Sequence, residues 1–126
     1  MTKTEFISAA APLLKDRGYK KRGSYWYLSR AGYVFCINLQ GSQWDKDHYY
    51  INIGAAEQRE EAPYPTLLKW LWRHRCRNAH GEELNPELSD LLLCIDSCFS
   101  DFLAADDPSS FYKEHHATLL VNQYWL

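Results

Sequence analysis

The chain has 126 residues, 46% of them apolar, and a formal net charge of −2. That length fits a single domain over residues 1–126, with one ordinary core and little room for a second. The longest apolar stretches, such as Leu91 to Ile95, are far too short to cross a bilayer, and Glu5 stands where a secretory leader needs apolar residues, so a cytoplasmic location without membrane contact is expected.

The first segment, TKTEFISAAAPLLKDRG, sets Phe6, Ile7, Ala10, Leu13 and Leu14 at helical spacing, with Pro12 as a point of kinking and Gly18 as a stop. YKKRG then reads as a basic turn. SYWYLSR and YVFCINLQ, rich in aromatic and β-branched residues and joined at Ala31-Gly32, read as a β-hairpin, and HYYINIGAA follows the polar loop SQWDKD as a third strand. No helix separates these strands, so they should pair antiparallel as a meander. The remainder reads as helical. Thr66 caps a helix from about Leu67 to His80 that Gly81 ends, Asn85-Pro86 opens another to about Leu103, and Asp107 or Ser109 starts a last segment through HHATLL. VNQYWL fits either a strand or a helix. The fold class is therefore α+β: an antiparallel meander of three or more strands, an N-terminal helix and two to three C-terminal helices packed on one face.

Strand parity supplies the first functional inference. A two-residue turn at Ala31-Gly32 sets Leu28 opposite Phe35 and Trp26 opposite Ile37, and these four, with Ile51 and Ile53, should face the helices. The other face then carries Tyr25, Tyr27, Cys36, Asn38, Gln40, Tyr50, Asn52 and Gly54 and should stay open. Tyrosine buries apolar area while keeping a polar tip, so this face is either solvated or a recognition surface.

KWLWRHRCRNAHG, residues 69–81, concentrates cationic and aromatic side chains. On a helical wheel Leu67, Leu68, Leu71, Trp72, Asn78 and Ala79 share one arc, while Lys69, Arg73, Arg77 and His80 oppose it. Arg75 falls among the apolar positions, where burial would demand a carboxylate partner. Arg73 and His80, seven apart, resemble the Arg-then-His spacing of a helical ribonuclease superfamily, although three strands precede them here. The plainer reading is a basic helix lying beside the acidic one across the GEELN loop.

Charge is segregated along the chain. Residues 1–23 hold six Lys/Arg against two acids, residues 66–80 hold four against none, and residues 82–107 hold eight Asp/Glu with no Lys or Arg. The acidic helix buries Leu88, Leu91, Leu92, Ile95, Cys98, Phe99 and Phe102 and turns Glu87, Asp90, Asp101 and Asp106 outward. Nucleic-acid binding through Lys20, Lys21, Arg22, Lys69, Arg73 and Arg77 needs a basic surface, against which the acidic balance weighs. The four cysteines, Cys36, Cys76, Cys94 and Cys98, contain no C-x-x-C pair and read as reduced core thiols. A zinc site from Cys94, Cys98, His74, Cys76 and His80 is disfavoured by its irregular spacing, so no metal or cofactor is expected.

Gly-Tyr-Lys-Lys-Arg-Gly after the first helix, then Leu39-Gln40-Gly41-Ser42 and Tyr50-Ile51-Asn52-Ile53-Gly54, resemble the pattern of the bacterial domain-of-unknown-function 4304 family over residues 5–56. The resemblance implies a single α+β domain with no established activity, and Gln40, Ser42 and Asn52 match the family's polar signature.

The usual enzyme signatures, including G-x-S-x-G, a P-loop and H-E-x-x-H, are missing, and His115-His116 beside Glu114 reads as a solvated end. The reading is a non-catalytic protein-binding domain, in concrete form a bacterial immunity or antitoxin-like protein that meets a toxin through Asp90 and Asp101 or through Tyr25, Tyr27, Gln40, Tyr50 and Asn52. The alternatives are a small hydrolase using Arg73 and His80, and a self-associating structural protein using Tyr124-Trp125-Leu126. Composition sets no oligomeric state.

Overall fold

A computed structural model describes residues 2–42, 47–105 and 111, together with the backbone of Leu120–Val121. The described elements run α1 (Lys3–Asp16), β1 (Lys20–Arg22), β2 (Tyr25–Arg30), β3 (Tyr33–Gly41), β4 (Tyr49–Glu57), a 3-10 turn (Leu67–Lys69), β5 (Trp72–Arg75), α2 (Leu88–Ala104) and β6 (Leu120–Val121). The strands form one antiparallel sheet in chain order.

Thr2 opens α1, its hydroxyl oxygen accepting the Glu5 N–H at 3.2 Å, and Gly18 at φ +96° lets the chain turn away after it. Ala31 and Gly32, at φ +56° and +83°, make the tight turn between β2 and β3. The expected register follows, with Leu28 against Phe35 and Trp26 against Ile37. Phe6, Ala10 and Leu14 of α1 and Leu91, Ile95, Phe99 and Phe102 of α2 bury against Trp26, Phe35, Ile37, Ile51 and Ile53 on one face of the sheet. Both helices thus cover the predicted core face, and Phe111 joins it, its ring centroid 5.0 Å from that of Trp72.

Two expectations are overturned. YKKRG is not a plain turn, because Lys20–Arg22 forms β1 against β2. Residues 67–80 do not form a helix: after one 3-10 turn the chain becomes β5 and pairs with β4, Asn52 opposite Arg75 and Ala55 opposite Trp72. The open edge of β4 offers backbone partners to these residues, and the Leu71 and Cys76 N–H groups extend the pairing to Ala55 O and Ile51 O at 2.7 and 2.9 Å. Among the described elements α2 is therefore the one α-helix on the C-terminal side, where two to three were expected. The expected last segment from Asp107 or Ser109, and the ends Glu114-His115-His116 and Tyr124-Trp125-Leu126, lie outside the described residues apart from Phe111 and β6.

The basic and acidic helices expected to pair side by side do not exist as a pair. Arg75 and Arg77 meet Glu83 in the loop before α2, and Asp96 of α2 meets Arg17 at 2.7 Å. Among the described residues no helix is long and apolar enough to cross a membrane.

Candidate functional site

The register sets Asn38, Asn52 and Arg75 in one row across β3, β4 and β5, with Gln40 and Tyr50 in the next row, all on the face away from the helices. Asn52 is fully buried and Asn38 nearly so. The Asn52 amide donates to Asn38 Oδ1 at 3.2 Å and to Gln40 Oε1 at 3.1 Å, while its own oxygen accepts from Arg75 Nε at 3.2 Å. Arg75 Nη2 also donates to Gln40 Oε1 at 3.0 Å, and the guanidinium lies 4.4 Å over the Tyr50 ring. Two amide oxygens and an aromatic face thus hold a cation in place. Its carboxylate, Glu83, stands at 3.7 Å, and Glu83 also reaches Arg77 at 4.0 Å. The demand for a carboxylate is met, although Arg75 sits on the polar face of a strand rather than the apolar arc of a helix.

Arg73 follows two residues earlier on the same face, opposite Gly54. It is half-buried, and among the described residues its guanidinium has no hydrogen bond or ion pair. Burial and then the neighbouring Arg75 charge lower its pKa, with Glu83 offsetting part of the effect. The site accordingly holds two adjacent guanidiniums with less than one carboxylate each, an arrangement that favours an incoming anion.

The rest of this face is less open than strand parity implies. Trp70 crosses over Gly54 and buries Tyr27, Val34, Cys36 and Ala56 in a second small core. Tyr25 and Tyr27 stack at 5.6 Å and 2°, Tyr25 meets Trp70 edge-on, and Tyr27 packs against Tyr64. Of the predicted contact residues, Gln40 is exposed beside Arg75, Tyr25 and Tyr50 are half-buried, and Tyr27 and Asn52 are buried.

Asp90 and Asp101 lie across the sheet on α2, remote from this face. Asp90 Oδ2 accepts the Glu87 N–H at 2.7 Å and so serves the start of α2, while Asp101 is exposed. Arg73 and His80 do not share a helical face: Arg73 is on β5, and His80 is exposed in a turn where its N–H donates to Asn78 Oδ1 at 2.9 Å. Glu83 carries no signal of its own in the sequence because its role depends on β5, and Arg75 stands out there only by breaking the apolar arc. On the helix side, the donor atoms of His74, Cys94 and Cys98 lie within 4.8 Å of one another. Hydrogen bonding to Cys76 raises the Cys94 pKa most, hydrogen bonding to Cys94 does so for Cys98, and burial pushes both thiols up further.

The fold and site define an α+β domain in which two helices cover one side of an antiparallel meander and a cationic, amide-braced patch lies on the other. The chain belongs to the family described as Domain of unknown function (DUF4304), whose model matches residues 10–81. That match continues past the strands that carry the motif resemblance to include Arg73 and Arg75. No curated protein and no solved structure matches the chain.

Proposed function

We propose that the chain is a non-catalytic protein-binding domain, an immunity or antitoxin-like protein of the bacterial cytoplasm, that uses the sheet face around Arg73, Arg75, Tyr50 and Gln40. The observation that carries this reading is the half-buried Arg73 beside the braced Arg75, short of anionic partners among the described residues. A partner carboxylate seated there would relieve like-charge repulsion between two adjacent guanidiniums, of which Arg75 is braced, and Tyr50 supplies an amphipathic contact beside them. The α2 carboxylates fit the role less well, because Asp90 and Asp96 already serve the fold. A hydrolase built on Arg73 and His80 loses the shared helical face on which it rested.

The test is affinity capture of the purified product of the neighbouring gene. Arg73→Glu and Tyr50→Ala should each weaken binding at least about tenfold, whereas Asp90→Lys and Asp101→Lys should leave it unchanged. Binding undiminished by the first two substitutions removes the sheet face from the mechanism.

A further inference from the structure

Trp72, His74 and Cys76 alternate toward the helices from β5 and its continuation, since their neighbours Arg73 and Arg75 occupy the other face. From α2, Cys94 and Cys98 are one helical turn apart and meet this row. The donor atoms of His74, Cys94 and Cys98 all lie within 4.8 Å of one another. Cys76, in the same row, stands outside that group but next to Cys94, whose pKa it raises. A tetrahedral zinc ion, with bonds of about 2.3 Å to sulfur and about 2.1 Å to nitrogen, sets its ligand atoms about 3.5–3.8 Å apart. Side-chain rotation of the order of an ångström therefore closes these three around a metal, and a turn of the Cys76 side chain toward Cys94 supplies the fourth ligand.

We infer that His74, Cys76, Cys94 and Cys98 form a structural zinc site that ties the strand β5 to the helix α2. Three thiolates and one imidazole select a soft or borderline ion such as zinc over calcium or magnesium, which take oxygen ligands. Four protein ligands leave no position for substrate, so the role is structural. Cys76 is fully buried while His74, Cys94 and Cys98 are half-buried, so an ion can enter from the surface and finish against the core. The inference departs from the expectation of plain core thiols. It rests on strand and helix periodicities that bring four residues into one place, where their spacing in sequence is irregular.

The experiment uses the full chain, reduced, stripped with a chelator and titrated anaerobically with Co²⁺ alone, followed by Zn²⁺. One equivalent of Co²⁺ should give the intense visible absorption of tetrahedral coordination together with thiolate-to-cobalt charge transfer, and Zn²⁺ should displace it. Cys98→Ser and His74→Ala should each weaken Zn²⁺ binding at least about tenfold. Cys76→Ser should reduce the charge-transfer intensity by about one third, as one of three thiolates is lost. Cys36→Ala, on the opposite sheet face, is the control and should bind as wild type does. Circular dichroism of each stripped variant confirms folding, and His74→Asn gives a milder variant of the same ligand position. Octahedral cobalt spectra without charge transfer, equal affinity in wild type and Cys98→Ser, or a Cys76–Cys94 disulfide in a protein that takes up no metal when reduced would each overturn the site.

Discussion

Trp70 occupies the space that a side chain on Gly54 would need. A Cβ at Gly54 would fall 2.5 Å from Trp70 Cε3 and closer still to the Trp72 carbonyl oxygen, so the backbone of β4 is open here to receive the indole and the neighbouring strand. Trp70 Nε1 donates to Pro65 O at 3.0 Å, fixing the ring over the sheet. The indole thereby covers the Gly54 end of the polar face, two residues before β5 begins.

Gly54→Ala should therefore destabilise the fold by about 3 kcal/mol, the upper part of the range for overpacking a tight interior. Backbone on one side and a braced indole on the other leave no flexible group to move. Urea denaturation followed by tryptophan fluorescence reads the change, and a midpoint equal to that of wild type would show that Trp70 can lift away at little cost.

Asn52 gives a second prediction. It is fully buried and bonds Asn38, Gln40 and Arg75 together, so Asn52→Leu keeps volume while stranding Asn38 Oδ1 and Arg75 Nε. The expected loss is about 2 kcal/mol, since two groups lose their partner while Gln40 Oε1 keeps its bond from Arg75 Nη2. In an Arg75→Met background the loss should fall by about 1 kcal/mol, because one stranded donor is gone. Additive losses in a double-mutant cycle would mean that Arg75 does not lean on Asn52.

Much of this face was legible in the sequence. Period-two alternation with a two-residue turn placed Asn38, Gln40, Tyr50 and Asn52 on one side, and the pairing of Asn38 with Asn52 follows. The segment at 69–81 was not, because its side chains satisfy two periodicities. A helix collects Leu67, Leu68, Leu71 and Trp72 but leaves Arg75 in the apolar arc. A strand sends Trp72, His74 and Cys76 inward and Arg73, Arg75 and Arg77 outward with no exception, and Arg75 was the residue that separated the two. Propensity did not choose between them; the unpaired edge of β4 did. Leu68, 84% exposed in the structure, shows that the apolar arc was never a buried stripe.

Asn78 organises the loop that delivers Glu83. Its Oδ1 accepts from the N–H groups of His80 and Glu82 at 2.9 and 3.0 Å, and its Nδ2 donates to Leu84 O at 2.9 Å. Asn78→Ala should cost about 2 kcal/mol and release the loop. Amide hydrogen exchange at residues 80 and 82 should accelerate while that of β3 stays slow; unchanged exchange would assign the loop's order to other contacts.

Tyr49 makes alkaline stability a test of how its hydroxyl is held. Its ring is fully buried beside Phe6, and its hydroxyl donates to Pro86 O at 2.7 Å, joining β4 to the start of α2. Burial first, and then the carboxylates of Glu87 and Asp90, push its pKa up from 10.0 to about 12. An acid whose folded-state pKa exceeds its unfolded value contributes its full stability below the unfolded pKa. That contribution is lost as the unfolded chain ionises first, between pH 10.0 and about 12. Tyr49→Phe removes the Pro86 hydrogen bond and should cost about 1 kcal/mol at neutral pH. It also removes one titrating group, so wild type should lose stability faster than the variant above about pH 10, and the gap between them should shrink toward zero. Tyr19 and Tyr27, whose pKa values burial also raises, persist in both proteins and cancel in the comparison. Paired urea melts at about pH 8 and about pH 11 measure the gap; one that stays constant would mean that the Tyr49 hydroxyl ionises as readily in the fold as in the unfolded chain.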